Sequence, residues 1–402
     1  MVVFSRVLCY TVFNIKMSSI NPGDELQPKR TEKNRRRMMI TPIEFDKALS
    51  LSRPLFIDVR SESEFNEDHI PGAINIPLFN DEERALIGSV YKKQSPKQAR
   101  QLGLKILSPK LPGLVYSVQS QGEGRQIILY CWRGGMRSLS LATVLDLMNT
   151  HVFRLNGGYK SFRRWIRSYF SQDNFPFQVV VLHGLTGTGK TNIIKKLAER
   201  GVPVLDLEGL AGHRGSVFGS VGLPEQPTQK HFESLIWREC HKFKSNDYLV
   251  VECESKRIGK LVLPTLLFNE MKAGRHILLY DTLEHRINRI IREYQVDKNR
   301  EELAKTLGNL EKNLGVKKVK EWQSLIMEEK TYSVLKMLLV KYYDLLYKYP
   351  DHPSAKYELS LSSVDENQAA NVITDFLQNN SRGDCHEPDR RGIRKGETRK
   401  RS

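Results

Sequence analysis

The sequence predicts an α/β protein in two parts: a parallel-sheet domain, then a second α/β domain built on a glycine-rich phosphate loop, with a helical C-terminal extension. Three observations predict it. Short apolar runs of strand length, such as residues 126–130 and 178–182, each lead straight into a loop and then a helical stretch. Strands and helices alternate on both sides of Phe175-Pro176-Phe177, which implies parallel sheets with helices on their faces. From residue 283 to 348 the apolar spacing turns helical throughout, with many Lys, Arg and Glu.

The 402 residues divide into an N-terminal extension (1–39), a first domain (40–172), a second domain with its helical extension (173–380) and a basic tail (381–402). Thr41-Pro42-Ile43-Glu44 reads as a helix start: an N-cap, a proline at the first helical position and an acid in the first turn. That helix ends before Arg53-Pro54. Residues 55–59 form a buried strand, 61–65 open a helix, and 69–77 make a turn and a short strand. Residues 80–105 read as amphipathic helix, and the Pro/Gly/Ser-rich stretch 108–124 as a connection. Residues 126–130 form a strand, 139–148 a helix, and 152–155 a third strand ending at Gly157-Gly158. In the second domain, strands are expected at 178–182, 203–207, 248–252 and 277–280, with a helix at 190–199. Residues 356–361 return as a strand and 365–377 as a last helix. No internal repeat is present.

The net charge is +17, with eight Lys/Arg against three acids in residues 1–40 and eight against four in residues 381–402. A further +8 lies on the body, which points to a polyanionic partner, RNA first. The apolar runs are too short to span a membrane. Five cysteines (Cys9, Cys131, Cys240, Cys253, Cys385) form no CxxC pair, which argues for a reducing compartment and against a disulfide framework or a zinc site. The location read from this is cytoplasmic. Arg6 and Lys16, with no acid before Asp24, also suit a mitochondrial presequence, or else a leader upstream of a working start at Met17.

Two loops carry the chemistry. The first is Tyr130-Cys131-Trp132-Arg133-Gly134-Gly135-Met136-Arg137-Ser138. A cysteine at the carboxyl end of a parallel strand and the amino end of a helix meets backbone amides that favour a thiolate, and Arg133 and Arg137 add positive charge. Such a loop can hold a persulfide or perselenide on Cys131; the bland alternative is an inert buried cysteine. The second is Gly184-Leu185-Thr186-Gly187-Thr188-Gly189-Lys190-Thr191, a Walker A pattern between strand and helix. Gly184, Thr186, Gly187, Gly189, Lys190 and Thr191 are its phosphate-binding residues. Thr191, with Glu252 and Glu254 at the end of the strand at 248–252, is the candidate Mg²⁺ site. Asp206 and Glu208 are similar candidates and open a glycine-rich segment, to Gly219, that reads as a loop lining a site. Within it, His213 and Arg214 are candidate phosphate or substrate contacts.

Phe56-Ile57-Asp58-Val59-Arg60, Glu64-Phe65, His69-Ile70-Pro71-Gly72-Ala73-Ile74-Asn75, the cysteine loop and Leu155-Asn156-Gly157-Gly158-Tyr159 together resemble the rhodanese domain over about residues 40–170. The resemblance implies that Cys131 carries sulfur or selenium and that Asp58 and Arg60 are structural. Both loops, with residues 206–219, Gln226-Pro227-Thr228-Gln229, Phe232-Glu233, residues 252–259 and Pro264, resemble the tRNA 2-selenouridine synthases over about residues 40–350. Cys253 departs from that family's pattern, which is acidic there. The resemblance implies that sulfur at C2 of the wobble 2-thiouridine of tRNA is replaced by selenium through an S-geranylated intermediate. The co-substrates are then geranyl diphosphate and selenophosphate, with Mg²⁺ the only metal in view and no tightly bound cofactor. The partners are tRNA and an enzyme producing selenophosphate. Cys131 acts in the second step, as thiolate or perselenide; basic helices from Arg286 to Lys348 track the RNA backbone, and a flipped base would need an aromatic stack, for which Trp132 is one candidate. Two other classes stay open on the residues: an ATP-dependent tRNA sulfurtransferase and a non-catalytic RNA-binding adaptor.

Overall fold

The computed structural model describes residues 40–244 and 247–381. The expectations for residues 1–39 and for the tail beyond 381 lie outside the described residues. Among the described residues no helix is long and apolar enough to cross a membrane.

The first half contains strands β1 (Ile40–Ile43), β2 (Pro54–Asp58), β3 (Ile74–Asn75), β4 (Gln126–Tyr130) and β5 (Val152–Leu155). They form one sheet, in the order β1-β5-β4-β2-β3, with every pairing parallel. Its helices are α1 (Phe45–Leu49), α2 (Glu62–Glu67), α3 (Asp81–Lys93), α4 (Pro96–Leu107), α5 (Leu111–Gln121), α6 (Met136–Leu147) and α7 (Tyr159–Tyr169). Along β4 the side chains alternate between two cores. Ile127, Leu129 and Cys131 face one with α5 and α6, while Ile128 and Tyr130 face the other with α1 and α7.

Three expectations change here. Thr41-Pro42 does not start a helix; it lies in β1, in register with Phe153 and Arg154. Because β1 is an edge strand, a proline without an N–H is tolerated, and the helix begins only at Phe45. The stretch 108–124 is not a plain connection but carries α5. Pro112 sits in its first turn, where a missing N–H costs nothing, and Gly122 ends it. The helical stretch 80–105 is two helices, split where the Ser95 hydroxyl caps α4 by accepting from Gln98 N at 3.2 Å.

The second half contains β6 (Gln178–His183), β7 (Val204–Leu205), β8 (Tyr248–Glu252), the antiparallel pair β9 (Arg257–Ile258) and β10 (Leu261–Val262), then β11 (Arg275–Tyr280) and β12 (Leu359–Ser362). Its main sheet runs β12-β11-β6-β8-β7, again all parallel. Helices α8 (Lys190–Glu199), α9 (Leu207–Ala211), α10 (Gln229–Cys240) and α11 (Thr265–Ala273) accompany it. The strand expected at 203–207 stops at Leu205, because Asp206 caps α9 by accepting from Gly209 N at 2.7 Å. The extension comprises α12 (Leu283–Glu293), α13 (Arg300–Leu307), α14 (Glu311–Leu314), α15 (Val316–Met327), α16 (Thr331–Leu338) and α17 (Asp344–Tyr347), closed around its own core of Ile287, Leu307, Trp322 and Leu338. The chain then returns through β12 to a last helix, α18 (Glu366–Ser381), packed on α8.

Helix α7 joins the halves. Its Arg163 pairs with Glu233 of α10 at 2.7 Å and with buried Asp68 at 3.4 Å, while Trp237 of α10 enters the core of Phe45 and Phe162.

Candidate functional site

Strand β4 delivers Cys131 to the carboxyl edge of its sheet, where the thiol is 3% exposed. Its Sγ lies 3.3 Å from the Ser138 hydroxyl in the first turn of α6. Neighbouring segments brace the loop. Tyr159 N donates to Cys131 O at 2.9 Å, Lys160 N to Trp132 O at 3.1 Å, and Arg154 Nη1 to Gly134 O at 2.7 Å. Gly158 permits this approach: its φ is +56°, and a Cβ there would stand 2.2 Å from Cys131 O. The two predicted arginines part company. Arg137 is bound to Glu64 at 2.6 and 3.3 Å, whereas Arg133 is exposed and has no hydrogen bond among the described residues. Burial raises the Glu64 carboxyl, but the bond and charge of Arg137, with Arg84 and Arg60, outweigh it and hold the group below the usual carboxylate range. Asp58 and Arg60 pair with each other, fully buried, at 2.6 to 3.0 Å. The Arg60 guanidinium also lies 4.0 Å from the centre of the Tyr159 ring and donates to Asp68 O at 2.7 Å, tying β2 to the start of α7.

The phosphate loop leaves β6 and enters α8 at Lys190, whose ammonium donates to Gly184 O at 3.0 Å. Gly187, at φ +83°, lets the loop pass α12, since a Cβ there would lie 2.8 Å from Arg286 O. Leu182 is in register with Glu252 and Leu205 with Val251, so the loop and the acidic residues end at one sheet edge. The Thr191 hydroxyl donates to Glu208 at 3.0 Å, not to Glu252 or Glu254. Glu252 is wholly buried: one oxygen accepts from Glu208 N at 2.7 Å and the other has no hydrogen-bond partner among the described residues. Burial, with Asp206 and Glu208 adding like charge, pushes Glu252 well above the carboxylate range, and burial with Glu208 does the same for Glu254. Asp206 is raised by burial too. Among the described residues no group of three or more His, Cys, Asp or Glu is set to hold a metal ion. The donor set that remains, Thr191 and Glu208 beside an orphaned buried carboxylate oxygen, suits Mg²⁺, which takes one or two protein carboxylates and completes its shell with phosphate and water.

A cavity of about 650 Å³ opens over this loop, walled by Lys190, Thr191, Glu208, Arg214, Glu254 and Tyr349. Arg214 donates to Val221 O at 2.8 Å and Glu293 O at 3.2 Å and covers the Tyr294 ring at 4.7 Å, and among the described residues no carboxylate hydrogen-bonds its charge. His213 does not line the cavity. Its ring packs against Gly219 and Gly259, and burial lowers its pKa. Cys253 does line it, hydrogen-bonded to Tyr349 at 3.1 Å, and burial raises its thiol. Beside the cavity, and sharing Thr186, Ser216, Ile290 and Tyr294 with it, lies an apolar seam between α12 and α16 with about 30 Å³ of free space.

In sequence, Arg286 belongs to a basic stretch expected to track RNA. The structure corrects this: Arg286 is 2% and its neighbour Arg289 5% exposed. Arg286 Nε donates to Thr186 O at 2.8 Å and Arg289 Nη1 to Gly187 O at 2.5 Å, so both hold the phosphate loop from behind. Asp344, Asp281 and Glu366 neutralise them. The signal was present in α12, where Arg286 and Arg289 share the face of Ile287 and Ile290.

A family model described as the tRNA 2-selenouridine synthase AAA domain matches residues 177–380, and the rhodanese-like domain matches residues 41–164. A tRNA 2-selenouridine synthase from Hydrogenovibrio crunogenus is 32% identical over 370 residues, covering 84% of this chain and 98% of that protein. One from Nitrosomonas europaea is 35% identical over 252 residues, covering 61% and 65%. Among solved structures, the N-terminal domain of a putative ATP/GTP binding protein from Clostridium difficile is 39% identical, covers 31% of this chain and 98% of that one, and has a TM-score of 0.31. With both halves matched in order and one relative aligned over nearly its whole length, the chain belongs to the tRNA 2-selenouridine synthase family.

Proposed function

We propose that this protein exchanges sulfur for selenium at C2 of the wobble 2-thiouridine of tRNA, in two steps fed by geranyl diphosphate and selenophosphate. The observation that carries the reading is the pairing, in one chain, of a walled thiol loop with a phosphate loop that opens onto both a charged cavity and an apolar seam. In the first step the 2-thio sulfur attacks C1 of the geranyl group. A C–S bond forms, the C–O bond to diphosphate breaks, and the uridine N3 proton is lost. Lys190, the loop amides and Arg214 take the leaving diphosphate. Mg²⁺ at Thr191 and Glu208 supplies further neutralising charge when bound. The seam is closed to about one water's volume, so α12 and α16 part to admit the prenyl chain.

In the second step the selenium of selenophosphate attacks C2, and geranylthiol leaves. The Cys131 thiolate then attacks phosphorus, breaking the Se–P bond, and water frees phosphate from the cysteine. A perselenide made from selenophosphate with release of phosphate requires a two-electron oxidant; the thiolate route does not. The test is mass spectrometry of nucleosides from thiolated tRNA incubated with each co-substrate alone and with both. Geranylated 2-thiouridine is expected with geranyl diphosphate alone, and 2-selenouridine only with both. Formation of neither overturns the proposal, and ATP consumption with tRNA and a sulfur donor favours the sulfurtransferase reading instead.

A further inference from the structure

The cations of helix α3 share a groove with one arginine of the thiol loop. Arg84, Tyr91, Lys92 and Lys93 of α3 and Arg137 of α6 line a groove of about 640 Å³. Its floor is apolar, with Phe79 and Ile87 among the lining residues. Among the described residues no carboxylate lines it. Glu64, which meets two of these cations, is 8% exposed and paired with Arg137 at 2.6 Å and Arg84 at 3.4 Å. Lys92 and Lys93 are exposed and have no ion pair among the described residues. Tyr91 is 60% exposed. The groove adjoins the reacting thiol: Arg137 is one residue from Ser138, whose hydroxyl is 3.3 Å from Cys131 Sγ.

Cations with an apolar floor and a bare aromatic ring suit one class of partner. A duplex presents phosphates but hides its base faces, whereas a single-stranded segment offers both phosphates and unstacked bases. We propose that the groove between α3 and the start of α6 is the docking surface for a single-stranded loop of RNA, with a base stacked on Tyr91 and phosphates on Arg84, Lys92 and Lys93. This rests on the reading of the chain as an enzyme of tRNA, and it places the loop of the substrate against the first domain rather than the helical extension.

The experiment measures binding of the full chain to a short RNA stem-loop and to a blunt RNA duplex of matched length, across a salt series. Tyr91→Ala is expected to weaken the stem-loop roughly tenfold while leaving the duplex within about twofold. Lys92→Ala with Lys93→Ala is expected to make the stem-loop salt slope shallower by about 1.4. Arg164→Ala with Arg167→Ala, on the exposed face of α7, removes the same charge elsewhere. A loss from the lysine pair no larger than from that arginine pair, or a Tyr91→Ala effect equal on both RNAs, overturns the proposal. All substituted groups are exposed, so the fold is retained. If wild-type protein selenates tRNA but the groove variants bind normally, only the groove is wrong. If wild-type protein modifies nothing, the functional reading fails while the binding result still stands.

Discussion

Glu64 shows how the thiol loop is stabilised. It is 8% exposed, and its carboxylate receives both η nitrogens of Arg137. Its carboxyl titrates below the usual range in the fold and at the usual range when unfolded. The stabilisation is therefore complete above the ordinary carboxylate range and disappears as pH falls through the lowered value. Glu64→Gln is expected to cost about 1–3 kcal/mol at neutral pH, from the loss of charged hydrogen bonds. That difference should close in strong acid, and urea unfolding of both proteins across pH measures it. Cys131 itself is tested by product: Cys131→Ala should still yield geranylated tRNA and lose 2-selenouridine. Loss of geranylation in a folded Cys131→Ala protein would remove the division of labour between the loops.

At the level of the elements, α12 is the part whose role was hardest to read. Its arginines looked like a solvated basic face, since charge on a helix usually means water. Their burial depends on Asp281, Asp344 and Glu366, which lie far apart in sequence and come together only in the fold. Arg286→Lys should weaken binding of inorganic pyrophosphate about tenfold or more, because an ammonium cannot bridge Thr186 O and Asp344 as the planar fork does. Calorimetry reads this, and an unchanged affinity would show that the loop keeps its shape unaided. The two chemical loops were legible because each is a continuous motif between a strand and a helix. The Thr191–Glu208 contact and the apolar seam were not, because they join segments 17 or more residues apart. Locally ambiguous signals failed in a similar way. Thr41-Pro42 carries a helix-start pattern, yet β5 offers an open edge that takes it as a strand. Pro109, Pro112 and Gly113 suggest a loop, yet prolines at the first turns of short helices are permissive.

For the whole molecule, the coupling of the two halves runs through Asp68. Fully buried, it accepts from Tyr159 Oη at 2.8 Å, the residue whose amide holds Cys131, and meets Arg163 and His231 at 3.4 and 3.3 Å. Arg163 also binds Lys230 O and Ser234 of α10. Arg163→Ala leaves Asp68 and Glu233 without their shared cation, at a cost of about 3–5 kcal/mol. Calorimetry of the variant is expected to show the halves melting separately, where the wild type melts as one. A single transition merely shifted downward would mean the apolar contact of Trp237 suffices.

The return of the chain through β12 has a consequence in time. The hydrogen bonds that hold the carbonyls of Cys131, Trp132 and Gly134 come from residues made by position 160. The phosphate loop, by contrast, leans on Arg289, and Arg289 leans on Ser363 O and Glu366. On the ribosome, then, the thiol site can take its final shape while the phosphate grip is still unfinished. A chain that stops near residue 350 would carry the hydrogen-bonded cysteine loop beside a phosphate loop whose Arg289 has lost Ser363 O and Glu366 and keeps Asp281.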